Sequence, residues 1–212
     1  MKKKIDILIC DSGMTSWQKE YAFNLSGFFY KDKNGHGTQM IEVMHEINPN
    51  AKIGSIKVLN KYKECQLKKM LWGLMECEKY DAKIIVLALA FETNQEVYVL
   101  KEIINELVKQ GKIIVCSVKN GLETSYPAKY ENVIGVRREH YTIFDENSEI
   151  QLKLNLENVI CLDNKGTKKI FSGNSMAVAY VGAKISMIPN IQSMTYEQVV
   201  KKISCGNELL DL

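Results

Sequence analysis

The chain has 212 residues, 46% of them apolar, and a formal charge of +3. That size and apolar content allow one continuous core, so a single domain over residues 1–212 is expected, and the near-balance of charge argues against a nucleic-acid surface. The basic start Lys2-Lys3-Lys4 is followed only by the short run Ile5 to Cys10, which excludes a secretory h-region or a membrane span there and predicts a cytoplasmic protein.

Lys4-Ile5-Asp6-Ile7-Leu8-Ile9-Cys10 reads as a strand ending in the turn Asp11-Ser12-Gly13. Asp11 therefore falls at a strand's carboxyl end, the edge of an open parallel sheet where ligands collect, although an aspartate there can equally close an Asx turn. Asn34-Gly35-His36-Gly37-Thr38 then brackets a histidine with glycines and leads into a helical pattern from Gln39 to Ile47. His45 lies nine residues on, on the opposite face of that helix, and is expected to be solvated. His140 is expected in a loop, so His36 is the histidine whose setting suits a base.

Ala51 to Leu59 reads as the second strand. Leu67, Met70, Leu71, Leu74 and Met75 follow as an amphipathic stripe, with both methionines expected in the core. Lys83 to Phe91 is a nearly unbroken apolar run, as a strand covered on both faces requires. Leu100, Ile103, Ile104, Leu107 and Val108 form the next helical stripe, Gly111 ends it, and Lys112 to Val118 is the next strand. The alternation predicts an α/β fold, a doubly wound and mostly parallel sheet with helices on both faces.

That strand runs into Lys119-Asn120-Gly121. The Asn120 amide there can donate to an oxyanion or simply form an Asn-Gly turn. Asn132 to Val136 reads as a short strand, 138–151 as a surface connection, and Leu152 to Leu162 and Lys169 to Phe171 as further short strands. Ser172-Gly173-Asn174-Ser175 then precedes the small-residue run Met176 to Ala183, which reads as a buried helix. Ser175 at its N-terminus is placed either as an ordinary cap or as a nucleophile beside converging N–H groups. Thr195-Tyr196-Glu197-Gln198 has capping-box spacing before a closing helix. Six scattered cysteines without a C-x-x-C pair read as buried thiols rather than disulfides or zinc ligands.

Asp11, His36 and Ser175 occur in an order that separates serine-hydrolase folds from one another. With Asp11-Ser12-Gly13, Asn34-Gly35-His36-Gly37-Thr38, Ile56-Lys57-Val58-Leu59, Ile114 to Gly121, Tyr126-Pro127-Ala128 and Ser172-Gly173-Asn174-Ser175-Met176-Ala177, the chain resembles the subtilisin-like serine proteases, the subtilase family, from Ile5 to about Ile203. The resemblance implies Ser175 as nucleophile, His36 as general base and acid, Asp11 as the carboxylate behind it, and Asn120 as an oxyanion donor. It implies a peptide or protein substrate held extended between Ala88-Leu89-Ala90 and Asn60-Lys61-Tyr62. It also implies an endopeptidase acting by limited processing, such as leader removal from a peptide precursor, with a weakly active peptide-binding relative as the alternative. Two positions depart from the family pattern: Asn174 stands where threonine is usual and Lys119 where glycine is usual. By the resemblance, Lys119 falls where the family's first specificity pocket has its wall, which predicts a narrow pocket or a preference for small or acidic residues. No calcium-loop spacing is present, so no metal and no cofactor is expected, and a minimal member without prodomain or signal peptide is expected. The sequence does not fix the oligomeric state.

Overall fold

Strand β1 (Ile7–Asp11) sends Ile7 and Ile9 to one side of a sheet and Leu8 and Cys10 to the other, and all four are fully buried. The same two-sided burial holds for β4 (Ile84–Leu87) and β5 (Ile113–Ser117), which is why their sequences run apolar without alternation. In the computed structural model, which describes residues 4–27, 30–92 and 97–205, these strands form the middle of an eight-stranded sheet. The other members are β2 (Ala22–Asn24), β3 (Ile53–Lys57), β6 (Ile134–Arg138), β7 (Ile143–Phe144) and β8 (Leu152–Leu154), in the order β2-β3-β1-β4-β5-β6-β8-β7. All neighbours pair parallel except β7, which is antiparallel to β8.

Helices cover both faces. Helices α1 (His36–Ile47), α4 (Asn174–Ser186) and α5 (Tyr196–Cys205) pack on one side, with Met40, Met44, Val178 and Val199 in that core. Helices α2 (Leu67–Glu78) and α3 (Val97–Lys109) pack on the other through Met70, Leu74, Leu100 and Ile104. The antiparallel pair β9 (Val159–Leu162) and β10 (Lys168–Phe171) stands apart as a small second sheet. The expected α/β architecture is therefore the one observed.

The chain passes from β1 to β3 on one side of the sheet and, through α2, to β4 on the other side of β1. Strand order thus reverses between β1 and β4, and the crevice beyond their carboxyl ends is the place such sheets offer a ligand.

Several expectations need correction. Met75 is 48% exposed rather than core, because the buried face of α2 is Met70, Gly73, Leu74 and Cys77. Gly73 lets that helix lie against Val58, where a Cβ would sit 2.5 Å from its side chain. His45 is not simply solvated: its ring stacks on Tyr21 with centroids 3.8 Å apart. The connection 138–151 contains β7, and β2 was not foreseen. Cys10, Cys77, Cys116 and Cys161 are buried free thiols, whereas Cys205 is exposed. At α5 the capping box forms as spaced: Thr195 N–H donates to Gln198 Oε1 at 2.8 Å and Gln198 N–H to Thr195 Oγ1 at 3.3 Å.

Candidate active site

Asp11 is the last residue of β1 and is fully buried. A carboxylate without water must be hydrogen-bonded, and its Oδ1 accepts from the Ser12 N–H at 2.7 Å. The remaining capacity meets His36, whose Nδ1 lies 2.8 Å from Oδ1 and 3.0 Å from Oδ2. A carboxylate at Nδ1 holds the proton there and leaves Nε2 as the basic nitrogen.

His36 is itself buried, as the first residue of α1. Burial disfavours its charged form, but the Asp11 charge and hydrogen bond outweigh this and raise its pKa above the ordinary histidine value. Phe171, at the end of β10, meets the imidazole edge-on with centroids 5.6 Å apart. Close approach of α1 to the β1 turn depends on Gly37, whose N–H donates to Ser12 Oγ at 2.8 Å and whose Cβ, if present, would lie 2.3 Å from Gly13 O.

The loop before His36 is held by a residue that motif reasoning passed over. Asp32 is buried and accepts from the N–H groups of Asn34 and Gly35 at 3.0 and 2.9 Å, while its other oxygen serves the first turn of α1 through Thr38. The signal available in sequence was a carboxylate four positions before the histidine, at the start of a helix.

Ser175 is the second residue of α4, preceded by Gly173 with φ +82°. A Cβ at Gly173 would lie 3.3 Å from Asn120 Oδ1, so glycine lets the Asn120 side chain lie close to the start of α4. Asn120 follows β5, and its Oδ1 accepts from the Asn174 N–H at 3.3 Å, which leaves Nδ2 as the end of the amide not used in that bond.

His36, Asn120 and Ser175 line one cleft of about 220 Å³ together with Ala88, Leu89, Ala90, Phe91, Ser117, Val118 and Lys119. Phe91 pairs with Tyr126 through two backbone hydrogen bonds of 2.8 and 2.9 Å, which fixes the 88–91 wall. The opposite wall is Leu59, Lys63 and Cys65. Asn60, expected there, does not line this cleft. Its side chain is used within its own turn, where Oδ1 accepts from the N–H groups of Tyr62 and Glu64 at 2.8 and 3.1 Å. Lys119 is at the mouth and pairs with Glu92. The arrangement places a hydroxyl, an imidazole backed by a carboxylate, and a side-chain amide around one small opening, a set suited to acyl transfer.

Among the described residues, no group of three or more His, Cys, Asp or Glu is arranged to hold a metal ion, and no helix is long and apolar enough to cross a membrane.

Comparison with known proteins gives concordant results. The chain is 28% identical over 203 residues to the major intracellular serine protease of Bacillus subtilis (strain 168), covering 84% of this chain and 62% of that protein. It is 27% identical over 154 residues to the minor extracellular protease Epr of the same organism, covering 63% of this chain and 23% of that protein. The chain thus spans less than two thirds of either relative. A crystal structure of a cold-adapted subtilisin-like serine proteinase matches the fold with a TM-score of 0.81 at 15% identity, over 95% of this chain and 81% of that one. The model of the subtilase family of peptidases matches residues 2–203, and with that match the chain belongs to the subtilase family.

Proposed function

We propose that the protein is a serine endopeptidase in which Ser175, His36 and Asp11 form the catalytic triad. The observation that carries this reading is the buried Asp11–His36 pair, with Nδ1 2.8 Å from Oδ1, opening on the cleft that Ser175 also lines. Ser175 Oγ attacks the scissile carbonyl carbon while His36 Nε2 takes the hydroxyl proton. The resulting oxyanion is held by the Ser175 N–H and Asn120 Nδ2. His36 then gives the proton to the leaving amine, forming an acyl-enzyme that water hydrolyses with the imidazole again as base. Asp11 stays ionised throughout and keeps the imidazolium oriented.

The substrate on this reading is a peptide or protein segment running extended past Ala88-Leu89-Ala90, which can pair with its backbone. A narrow cleft with a charged rim favours limited processing, such as removal of a leader from a peptide precursor, over bulk degradation. A cytoplasmic site of action is supported by six free cysteines and by one relative's name as an intracellular protease, although the other relative is named extracellular.

A fluorophosphonate probe tests the reading directly. It is expected to label the wild-type protein at Ser175 and to leave Ser175→Ala unlabelled. Equal labelling of both proteins, or none of the wild type, overturns it, and the latter leaves a peptide-binding groove without catalysis.

A further inference from the structure

Asn174, where this chain leaves its family's usual residue, is a buried side chain with both ends engaged. Its Nδ2 donates to Val118 O at 2.9 Å, just past β5, and its Oδ1 accepts from Arg138 N–H at 2.7 Å, at the end of β6. Its own N–H donates to Asn120 Oδ1 at 3.3 Å. One residue therefore ties the ends of two parallel strands to the first turn of α4, and it stands directly between Gly173 and Ser175 in sequence.

A side-chain amide suits this bridge, because it offers a donor and an acceptor at the two ends of one planar group and both partners are backbone groups. Val118 lies two residues before Asn120, and Asn174 one before Ser175, so the bridge connects the two chain segments that carry the proposed oxyanion donors. Without it, the Val118 carbonyl and the Arg138 N–H lose this partner, and the Asn174 N–H bond to Asn120 Oδ1 is left to hold the segment after β5 against α4.

We propose that Asn174 is a positioning residue for catalysis, setting the separation between the Asn120 amide and the Ser175 N–H through its bridge from Val118 O to Arg138 N–H. The inference rests on the assignment of Asn120 and Ser175 given above. Asn174 itself does not touch the reacting atoms; it acts through Asn120.

A double-mutant cycle tests it, with kcat and KM measured on a chromogenic peptide together with the rate of fluorophosphonate labelling and the thermal melt. Asn174→Ala is expected to lower kcat about 10-fold or more with KM nearly unchanged, as small misplacements of a donor do. In the Asn120→Ala background the same substitution is expected to leave kcat unchanged, because the donor it positions is gone. Should the alanine variant melt below the assay temperature, the same comparison is made on all four proteins at a temperature below its melt. An equal fold-loss in both backgrounds, or a lowered melting temperature with kcat intact, overturns the inference while leaving the triad standing. A wild-type protein that the probe does not label overturns the triad, and the inference with it.

Discussion

Thr38 donates both its backbone N–H and its hydroxyl to Asp32 Oδ2, at 2.8 and 2.7 Å. With the Asn34 and Gly35 amides on the other oxygen, one buried carboxylate fixes the loop and the first turn that present His36. Asp32→Ala leaves these donors without a partner and removes the negative charge from a helix N-terminus, a loss of about 2 kcal/mol. For a chain of this length that corresponds to a melting temperature lower by about 4–8 °C. Labelling by a fluorophosphonate is expected to slow as well, since His36 loses its fixed approach to Asp11. A melt and a labelling rate both equal to wild type would refute this role.

The raised pKa of His36 gives activity and stability opposite pH slopes. Desolvation works against the imidazolium, but the Asp11 charge and hydrogen bond prevail, so the folded pKa lies above the unfolded value. As a base His36 must be neutral, so kcat/KM is expected to rise with pH through this folded pKa, above the ordinary histidine value. The stabilising contribution of the imidazolium runs the other way: it is fully present below the unfolded pKa and is lost as pH rises through the folded one. Asp11→Asn is expected to move the acid limb to lower pH and to reduce kcat by about 10⁴-fold. A pH–rate profile with its acid limb below the ordinary histidine value would contradict this assignment.

Much of the sheet was readable because burial on both faces leaves strands such as β4 as continuous apolar runs between turn residues. Those runs overshoot their strands: Ala88, Leu89 and Ala90 continue the apolar pattern past β4, where they line the cleft and Leu89 also joins the core. The two-residue β7 and three-residue β2 carry no period to detect. Met75 was misread because Gly73 rotates the buried face of α2 toward a close helix–strand contact, which a stripe of large residues does not reveal. At the proposed site, small residues and strand ends pointed to Asp11, His36 and Ser175 as candidates. Asp32, though it stands four positions before His36 at a helix start, was passed over; the departure at Asn174 was visible but its bridge was not, because Val118 O and Arg138 N–H are backbone groups that only the fold brings within reach.

Asn120 supplies the side-chain half of the proposed oxyanion pair, with its Oδ1 held by the Asn174 N–H at 3.3 Å. Asn120→Ala is expected to lower kcat by about 10²–10³-fold with little change in KM, because the bond it makes strengthens only as charge develops on the carbonyl oxygen. A peptidyl boronic acid, which presents a tetrahedral anion, should lose affinity to a similar degree, whereas a non-reactive peptide of the same sequence should not. An unchanged kcat would remove Asn120 from the mechanism.

Lys119 and Glu92 set the expected selectivity at the mouth of the cleft. The Lys119 main chain is fixed, its N–H donating to the buried Ser125 Oγ at 2.9 Å, so the side chain is the adjustable part of the wall. Its ion pair with Glu92 joins two half-exposed groups, at 49% and 54% side-chain exposure. Pairs of that kind contribute about 1 kcal/mol or less, so a substrate carboxylate can replace Glu92 at small cost, while a bulky aromatic must displace the lysine stem itself. Peptide-library profiling is expected to give small or acidic residues just before the cut. Glu92→Gln should strengthen the acidic preference, since Lys119 loses its internal partner, and Lys119→Gly should admit larger apolar residues and abolish the acidic preference. A wild-type preference for large aromatics at that position, or identical profiles for wild type and Lys119→Gly, would rule out Lys119 as the residue that sets it.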